Sequence, residues 1–234
     1  VTGRMAYVFS LGALMGLPGT RRYADHAVKA LTNYFTDPVN GGMWFAIKPE
    51  PDEDGHGVPW DEASRVKSQY HTVYALLGVA AATVANRPGA HELLNRMLEE
   101  QKELWTDDFG RVWDEYDEAF AEAVPVHTLG TLIHTIEAYM AAAEATTEPE
   151  WLDRAEKMAA FAYKVASKNG WRIPEYFDEN WEANHEAGKL LNDGRRYYEG
   201  YVTGHSMQLA RFALQVGAGL RSMGWDVPDY LLEM

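Results

Sequence analysis

Four proline-containing turns divide this chain into pairs of helices, and this repeat limits its possible folds more than any other feature. The turns contain Pro18, Pro88, Pro149 and Pro228. A proline is tolerated in the first turn of a helix, where its missing N–H is not needed, so each turn predicts the start of a new helix. The intervals are too irregular for a tight solenoid, yet the recurrence suggests one duplicated helical hairpin.

The two helices of each predicted hairpin differ in pattern. Segments before the prolines are apolar nearly all round: "YVFSLGALMGL", "YALLGVAAATVA", "TLIHTIEAYMAAA" and "MQLARFALQVGAGL". Segments after them are amphipathic. A helix that is apolar on every side is buried on every side, so we expect an inner ring of helices surrounded by outer ones. The sequence therefore predicts an all-α fold, an α/α toroid with about four hairpins and short β-hairpins at its rim. One such hairpin is predicted where "GGMWFAI" and "GVPW" flank "DEDG".

Composition excludes several classes of partner. The formal net charge of −14 argues against nucleic-acid binding, because no basic face is available for phosphate. The absence of cysteine excludes disulfides and Cys-based zinc sites and fits a reducing, cytoplasmic location. No apolar run approaches the roughly 20 residues that span a bilayer, so we expect no membrane partner. A homo-oligomer stays open.

Long polar loops connect the predicted hairpins, over residues 36–64, 106–126 and 168–204. Loops of this length inside a compact domain are usually functional. Each loop leads to the start of the next inner helix, so we expect side chains at those starts to share one cavity. The residues at or near these starts are Arg4, Tyr70, His134 and His205. We also expect Trp44 and Trp181, which belong to the loops, to contact a substrate there.

The histidines are the main candidates for chemistry. His134 precedes Glu137 by three residues, which places both on one helix face. A lone histidine of this kind is as often a core residue, but two histidines near equivalent helix starts point to a cavity. A neutral imidazole can exchange protons near neutral pH. Metal binding is the rival interpretation of His-x-x-Glu, and it is disfavoured because one such pair falls short of the usual ligand count. We therefore expect no metal ligand.

Six ordered motifs resemble the N-acylglucosamine 2-epimerase family, which includes mannose and sulfoquinovose isomerases and cellobiose 2-epimerases. The motifs are "GRMAYVFS", "GGMWFAI…DG", "KSQYHTVYALLGVA", "LIHTIEAYMAA", "IPEYFDENW" and "TGHSMQLARFAL". The resemblance covers essentially the whole chain, and short hairpins make the mannose isomerase branch most similar. It implies an (α/α)6 toroid, of which this chain supplies about four hairpins. Residues 1–234 are accordingly expected to form a single α/α-barrel domain, truncated at its C-terminal end.

The resemblance also implies a mechanism. The family opens a sugar ring and moves a proton beside the carbonyl through an enediol(ate), without a metal or organic cofactor. By motif position, His134 is linked to ring opening and His205 to proton transfer. Arg4 matches the arginine that steadies the enediolate oxygen, and Tyr70 matches a substrate-contacting tyrosine. Glu137, beside His134, is included among the expected catalytic residues.

Two positions depart from the family pattern. Gln208 occupies the place of a glutamate that usually follows the second histidine by three residues, and an amide cannot ionise. Gly130 occupies the place of a substrate-binding asparagine. We expect Gln208 to orient His205 or a sugar hydroxyl, and we expect Gly130 to border the substrate.

The function favoured by the sequence is aldose–ketose isomerisation of a free hexose of the mannose–fructose type. One alternative is an N-acylglucosamine or cellobiose 2-epimerase. Another is an α/α-toroid glycoside hydrolase, which would need two carboxylates, with Glu137 and Asp178 as candidates. A third is a catalytically weakened sugar-binding relative. In each case the expected partner is a small-molecule sugar.

Overall fold

The computed structural model describes residues 1–107, 110–198 and 200–234, and its main elements are α-helices. The helices are α1 (Thr2–Leu14), α2 (Thr20–Ala30), α3 (Gln69–Val84), α4 (Ala90–Glu100), α5 (Leu129–Thr146), α6 (Pro149–Lys168) and α7 (Thr203–Ser222). The short strands are β1 (Lys67–Ser68), β2 (Glu115–Tyr116), β3 (Val126–Thr128) and β4 (Tyr176–Asp178). A π-helical turn extends α2 over Leu31–Phe35, and another extends α4 over Gln101–Trp105.

The helices form two layers. Helix α3 packs between α1 and α5, and α5 in turn packs against α7, so these four alternate helices form an inner arc. Helices α2, α4 and α6 each pack on the inner helix that precedes them. The predicted all-α fold of helical hairpins, with its inner and outer helices, is therefore confirmed. In the described chain the fourth hairpin is α7 followed by a 3₁₀ turn at Asp229–Leu232.

Burial of the inner helices is uneven. Helices α3 and α5 are buried along most of their length, as their apolar sequences predict. The expectation of complete burial is wrong for α1 and α7, where Val8 is 60% exposed and Met207 is 71% exposed. The reason is position, because α1 packs mainly on α2 and α3, and α7 mainly on α5 and α6. Each of these two helices therefore leaves one apolar face uncovered.

Only one of the four prolines begins an α-helix. Pro149 is the first residue of α6. Pro18 and Pro88 instead precede Gly19 and Gly89, which occupy the N-cap positions of α2 and α4 with positive φ angles of 79° and 73°. A left-handed conformation at these caps favours glycine, so the glycine and not the proline adjoins the helix.

The short strands lie where the inner helices begin. Strand β1 leads directly into α3 and pairs antiparallel with β2, while β3 leads into α5 and pairs antiparallel with β4. The predicted rim hairpin is also present, since the N–H of Lys48 donates to the carbonyl of Val58 at 2.8 Å. These pairings hold the long loops over the N-terminal ends of α3 and α5. None of the helices described is both long and apolar enough to cross a membrane.

Candidate active site

Two adjoining cavities lie at the N-terminal end of the inner helices. The first has a volume of about 270 Å³ and includes Arg4, Trp44 and Tyr74 in its wall. The second has a volume of about 280 Å³ and includes Gly130, Glu175, Arg195 and His205. Tyr70 and His71 belong to both walls and separate the cavities. The structure therefore brings Arg4, Tyr70 and His205 to one end of the fold, on two sides of a shared partition.

His205 is paired with a buried carboxylate. Its Nδ1 lies 2.6 Å from Oε2 of Glu175, a residue only 2% exposed. The other oxygen of Glu175 accepts the backbone N–H of Val202 at 3.0 Å, one turn before His205. An ionised carboxylate can only accept, so the neutral imidazole carries its proton on Nδ1 and keeps the lone pair on Nε2. This arrangement suits Nε2 to accept a proton in the cavity.

The β3–β4 ladder positions Glu175. Thr128 pairs with Tyr176 in that ladder, and the N–H of Leu129 donates to the carbonyl of Glu175 at 3.0 Å. Glu175 is thereby fixed beside the start of α5. Sequence reasoning missed this residue although it lies within "IPEYFDENW", because spacing alone does not relate it to a histidine 30 positions away.

His134 belongs to a second hydrogen-bonded group. Its Nδ1 lies 3.2 Å from Oε2 of Glu137, and its Nε2 lies 2.7 Å from the hydroxyl of Tyr74. Arg211 of α7 reaches the other oxygen of Glu137 at 3.3 Å. Burial is the main cause that raises the pKa of Tyr74 above its ordinary value, and the neighbouring Tyr70 adds to it. Arg4 has the opposite, smaller effect. Tyr74 thus keeps its proton at neutral pH.

Arg4 lies against this group from α1. Its guanidinium carbon is 3.9 Å from the centroid of the Tyr74 ring, within the range of a cation–π contact. The ring of Tyr70 meets those of Tyr74 and His134 edge to face, with centroids 5.3 and 5.8 Å apart. These contacts connect α1, α3 and α5 at one end of the arc.

Three expected site residues lie elsewhere. Trp181 is buried and stacks on His127 with centroids 4.1 Å apart, so it supports the loop and does not reach either cavity wall. Gln208 is half-buried further along α7, and the carboxylate on His205 comes from Glu175 instead. Glu137 lines a groove formed mainly by residues of α1, α3, α5 and α7. Trp44 does line the first cavity.

Gly130 lines the second cavity. A Cβ atom at this position would lie 3.8 Å from ring carbons of both His205 and Tyr70, an ordinary van der Waals distance. The φ angle of Gly130 is not in the left-handed region, and the residue is in the first turn of α5. The backbone therefore has room for a side chain that would enter the space between Tyr70 and His205.

Arg195 is a cavity residue that the sequence did not indicate. It is 11% exposed at its side chain and forms ion pairs of 2.9 Å with Asp114 and 2.7 Å with Asp193. Burial opposes its charge, but the two carboxylates outweigh this effect and raise the pKa of Arg195. Its guanidinium also lies 4.9 Å from the centroid of Tyr70. The loop that carries Arg195 is thus pinned over the second cavity.

Two further histidines lie near the starts of α3 and α5. His71 lines both cavities, with Nε2 3.3 Å from the carbonyl of Asp193. Burial lowers the pKa of His71. His127 lies in β3, before α5 begins, and its Nδ1 donates to the carbonyl of Val112 at 3.0 Å.

The second carboxylate that a hydrolase would need is engaged in a turn. Asp178 accepts the N–H groups of Asn180 and Glu182 at 2.9 and 3.0 Å. Within residues 1–107, 110–198 and 200–234, no group of three or more histidine, aspartate or glutamate side chains is arranged to hold a metal ion.

Comparisons with known proteins give matches over nearly the whole chain. The family model described as N-acylglucosamine 2-epimerase matches residues 1–227. The chain is 33% identical to the D-mannose isomerase of Thermobifida fusca, over 99% of this chain and 54% of that protein. The chain spans about half the length of the curated D-mannose isomerases that it matches over nearly its whole length.

Solved structures show the same fold. A crystal structure of a D-mannose isomerase matches with a TM-score of 0.78 at 20% identity, covering 99% of this chain and 58% of that one. The cellobiose 2-epimerase of Spirochaeta thermophila DSM 6192 matches with a TM-score of 0.68 at 21% identity, covering 95% and 59%. These matches confirm the predicted α/α-toroid type of fold.

Proposed function

The chain belongs to the N-acylglucosamine 2-epimerase family, and from that premise we propose that it acts as an aldose–ketose isomerase on a free hexose of the mannose–fructose type. The observation that carries the proposal is the pair of His205 and Glu175 in the cavity wall, 2.6 Å apart. The 33% identity to a D-mannose isomerase supports the choice of substrate. We propose further that residues 1–234 belong to a single α/α-barrel domain.

Proton transfer at carbon is assigned to His205. With its Nδ1 proton directed to Glu175, the lone pair of Nε2 takes the proton from C2 of the open-chain aldose. The electrons of the broken C–H bond form the enediolate, and the negative charge moves to O1. When Nε2 returns the proton to C1 and the O2 hydroxyl passes its own proton to O1, the product is the ketose. Glu175 stabilises the imidazolium that exists between these two steps.

Two features would stabilise the negative charge of the enediolate. Arg4 supplies a fixed positive charge beside the partition formed by Tyr70 and His71. His205 itself stands in the first turn of α7, where the unpaired N–H groups of the helix favour negative charge. A sugar held against Tyr70 would lie between these two features. The ring-opening step that precedes proton transfer is assigned to the group around His134.

The test is hydrogen exchange at C2 of D-mannose in deuterated water, followed by NMR. We expect the protein to exchange this hydrogen and to form fructose, and we expect His205→Ala to lose exchange by at least about 100-fold, the usual contribution of a positioned acid–base group. Helical circular dichroism should stay unchanged in the variant. Undiminished exchange in His205→Ala would show that the proton moves elsewhere.

The same experiment separates the alternatives. A 2-epimerase would convert mannose to glucose, with deuterium at C2 and little fructose. A sugar-binding relative would bind mannose in calorimetry without any exchange. A glycoside hydrolase is the least supported alternative, because the carboxylate of Asp178 caps a turn outside the two cavities.

A further inference from the structure

His134 is separated from the substrate cavities by another side chain. It is only 8% exposed, and both of its ring nitrogens have hydrogen-bond partners. Tyr74 lines the first cavity, whereas His134 does not, and the hydroxyl of Tyr74 lies 2.7 Å from Nε2 of His134. A sugar in this cavity would therefore meet Tyr74 before it met His134.

The direction of each hydrogen bond follows from the chemistry of the groups. The ionised carboxylate of Glu137 can only accept, so Nδ1 of His134 carries a proton and donates it to Glu137. In the neutral imidazole Nε2 then has a lone pair, and it accepts the O–H of Tyr74. Arg211 contacts the second oxygen of Glu137 at 3.3 Å. The order hydroxyl, imidazole and carboxylate is that of a hydrolase triad, with tyrosine in place of serine.

We propose that the hydroxyl of Tyr74 is the catalytic group that meets the sugar during ring opening and that His134 acts through it. This inference rests on the proposed function and assigns one of its steps. As O1–H of the cyclic sugar gives its proton to the Tyr74 oxygen, Tyr74 passes its own proton to Nε2 of His134. The C1–O5 bond breaks, C1 becomes a carbonyl, and O5 takes a proton from a water molecule, which becomes hydroxide. His134, left as an imidazolium paired with Glu137, then returns its extra proton through Tyr74 to this hydroxide.

The surroundings of Tyr74 favour a relay over a free phenolate. Because burial raises its pKa, Tyr74 must release its proton to His134 as it receives the one from the sugar. The guanidinium of Arg4, 3.9 Å from the ring centroid, restrains the ring in the cavity wall. The edge-to-face contact with Tyr70, with centroids 5.3 Å apart, restrains it from the other side. The ring of Tyr74 is thus held in place, with its hydroxyl beside His134.

The proposal is tested by the rate at which α- and β-mannose interconvert, because this rate measures ring opening without any proton transfer at carbon. We expect the protein to accelerate interconversion and Tyr74→Phe to lower the acceleration by at least about 100-fold. The matched control is Tyr23→Phe, on the outer helix α2 with an exposed ring. Calorimetry should give similar mannose affinities for Tyr74→Phe and wild type, which shows that the cavity is intact.

The possible results are distinct. Equal acceleration by Tyr74→Phe and wild type would overturn the proposal, because His134 would then act directly on the sugar. The proposal would also be overturned if the wild-type protein did not accelerate interconversion. Acceleration without C2 exchange would refute the proposed isomerase and leave the role of Tyr74 supported. A second measurement does not depend on the variant folding: ¹⁵N spectra of wild-type histidines should show His134 protonated on Nδ1. Protonation on Nε2 alone would contradict the relay.

Discussion

A carboxylate that is hydrogen-bonded to one nitrogen of a histidine determines which nitrogen is free to exchange protons. Glu175 has this role for His205. Because Nδ1 is held at 2.6 Å from the carboxylate, Nε2 is the nitrogen with the free lone pair. Glu175 is itself held by the N–H of Val202, so the imidazole has a fixed orientation as well as a fixed tautomer. His205 therefore depends on Glu175 for its role in proton transfer.

Glu175→Gln should therefore impair proton transfer while the fold persists. The amide can present its NH₂ group to Nδ1, which favours the tautomer with the proton on Nε2 and removes the charge that stabilises the imidazolium. We expect C2–H exchange of mannose to fall by about 100-fold or more. Glu182→Gln, an exposed change in the same loop, is the control. Exchange within twofold of wild type in Glu175→Gln would remove Glu175 from the mechanism.

Gly130 is a residue at which the cavity can be altered without a clash. A Cβ atom there would be 3.8 Å from ring carbons of Tyr70 and His205. Gly130→Ala should raise the free energy of unfolding by about 0.5–1 kcal/mol, because glycine in a helix loses more backbone entropy on folding. Urea unfolding measures this change. A lower stability for the alanine variant would mean that the first turn of α5 has less room than these distances indicate.

Gly130→Asn adds a hydrogen-bonding amide to the same space. Family resemblance assigns an asparagine to this position, and its side chain would enter between Tyr70 and His205. We expect the variant to bind mannose more tightly than Gly130→Ala, by about 1 kcal/mol for one added hydrogen bond. Calorimetry on the two variants isolates the amide from the Cβ atom. Equal affinities would show that the sugar does not contact this position.

Residue-level prediction succeeds where sequence spacing fixes geometry. Helical spacing places His134 and Glu137 on one face, and their side chains lie 3.2 Å apart. No such rule relates Glu175 to His205, because their contact depends on the β3–β4 register and on the loop that ends at Val202. Tyr74 was similarly hidden, since an aromatic ring in an apolar helix is usually a core residue. Both residues become visible only when several elements are placed together.

At the scale of elements, the alternation of apolar and amphipathic helices was enough to predict which helices lie inside. It could not predict how much of each is covered, because coverage depends on neighbours. Helices α3 and α5 have an inner neighbour on both sides, whereas α1 and α7 keep exposed apolar residues. The caps show the same limit: a proline marks the turn, and the left-handed glycine after it marks where α2 and α4 begin.

The loop around Arg195 contributes to stability through two largely buried ion pairs. Asp114 and Asp193 are 1% and 0% exposed at their side chains, and Arg195 pairs with both. Arg195→Met would leave two buried carboxylates without their cation, a loss of about 3–5 kcal/mol in the free energy of unfolding. Urea unfolding measures it, with the exposed neighbour Arg196→Met as a control expected within about 0.5 kcal/mol of wild type. A small effect in Arg195→Met would indicate that water replaces the guanidinium.

For the whole molecule, charge and exposed apolar surface have opposite effects. The chain has 35 acidic and 21 basic residues, so the excess negative charges of the folded chain repel one another. The faces of α1 and α7 carry exposed apolar side chains that favour association, among them Val8, Leu14 and Met207. Salt weakens the repulsion and so affects both the stability of the folded chain and its tendency to associate. The sequence supplies the charge, but only the fold shows which apolar side chains remain uncovered.

Sodium chloride should therefore stabilise the protein. Between about 10 mM and 300 mM salt, screening shortens the reach of charge interactions from roughly 30 Å to under 10 Å. Salt should weaken the repulsion that arises from the net charge of −14 more than it weakens the attraction within exposed ion pairs, because such pairs contribute little individually. We expect the melting temperature to rise by about 2–4 °C, which corresponds to about 1 kcal/mol for a chain of this size.

The measurement has to separate screening from association. Chloride is preferable to sulfate, since sulfate also strengthens the burial of apolar surface. Light scattering at each salt concentration, with melting curves at two protein concentrations, shows whether α1 and α7 begin to associate as repulsion weakens. A rise that is independent of protein concentration is the expected effect of screened self-repulsion. A melting temperature that falls with salt in a monodisperse sample would mean instead that attractive ion pairs outweigh the net charge, and the exposed pair of Lys157 and Asp153 would then be a first candidate for substitution.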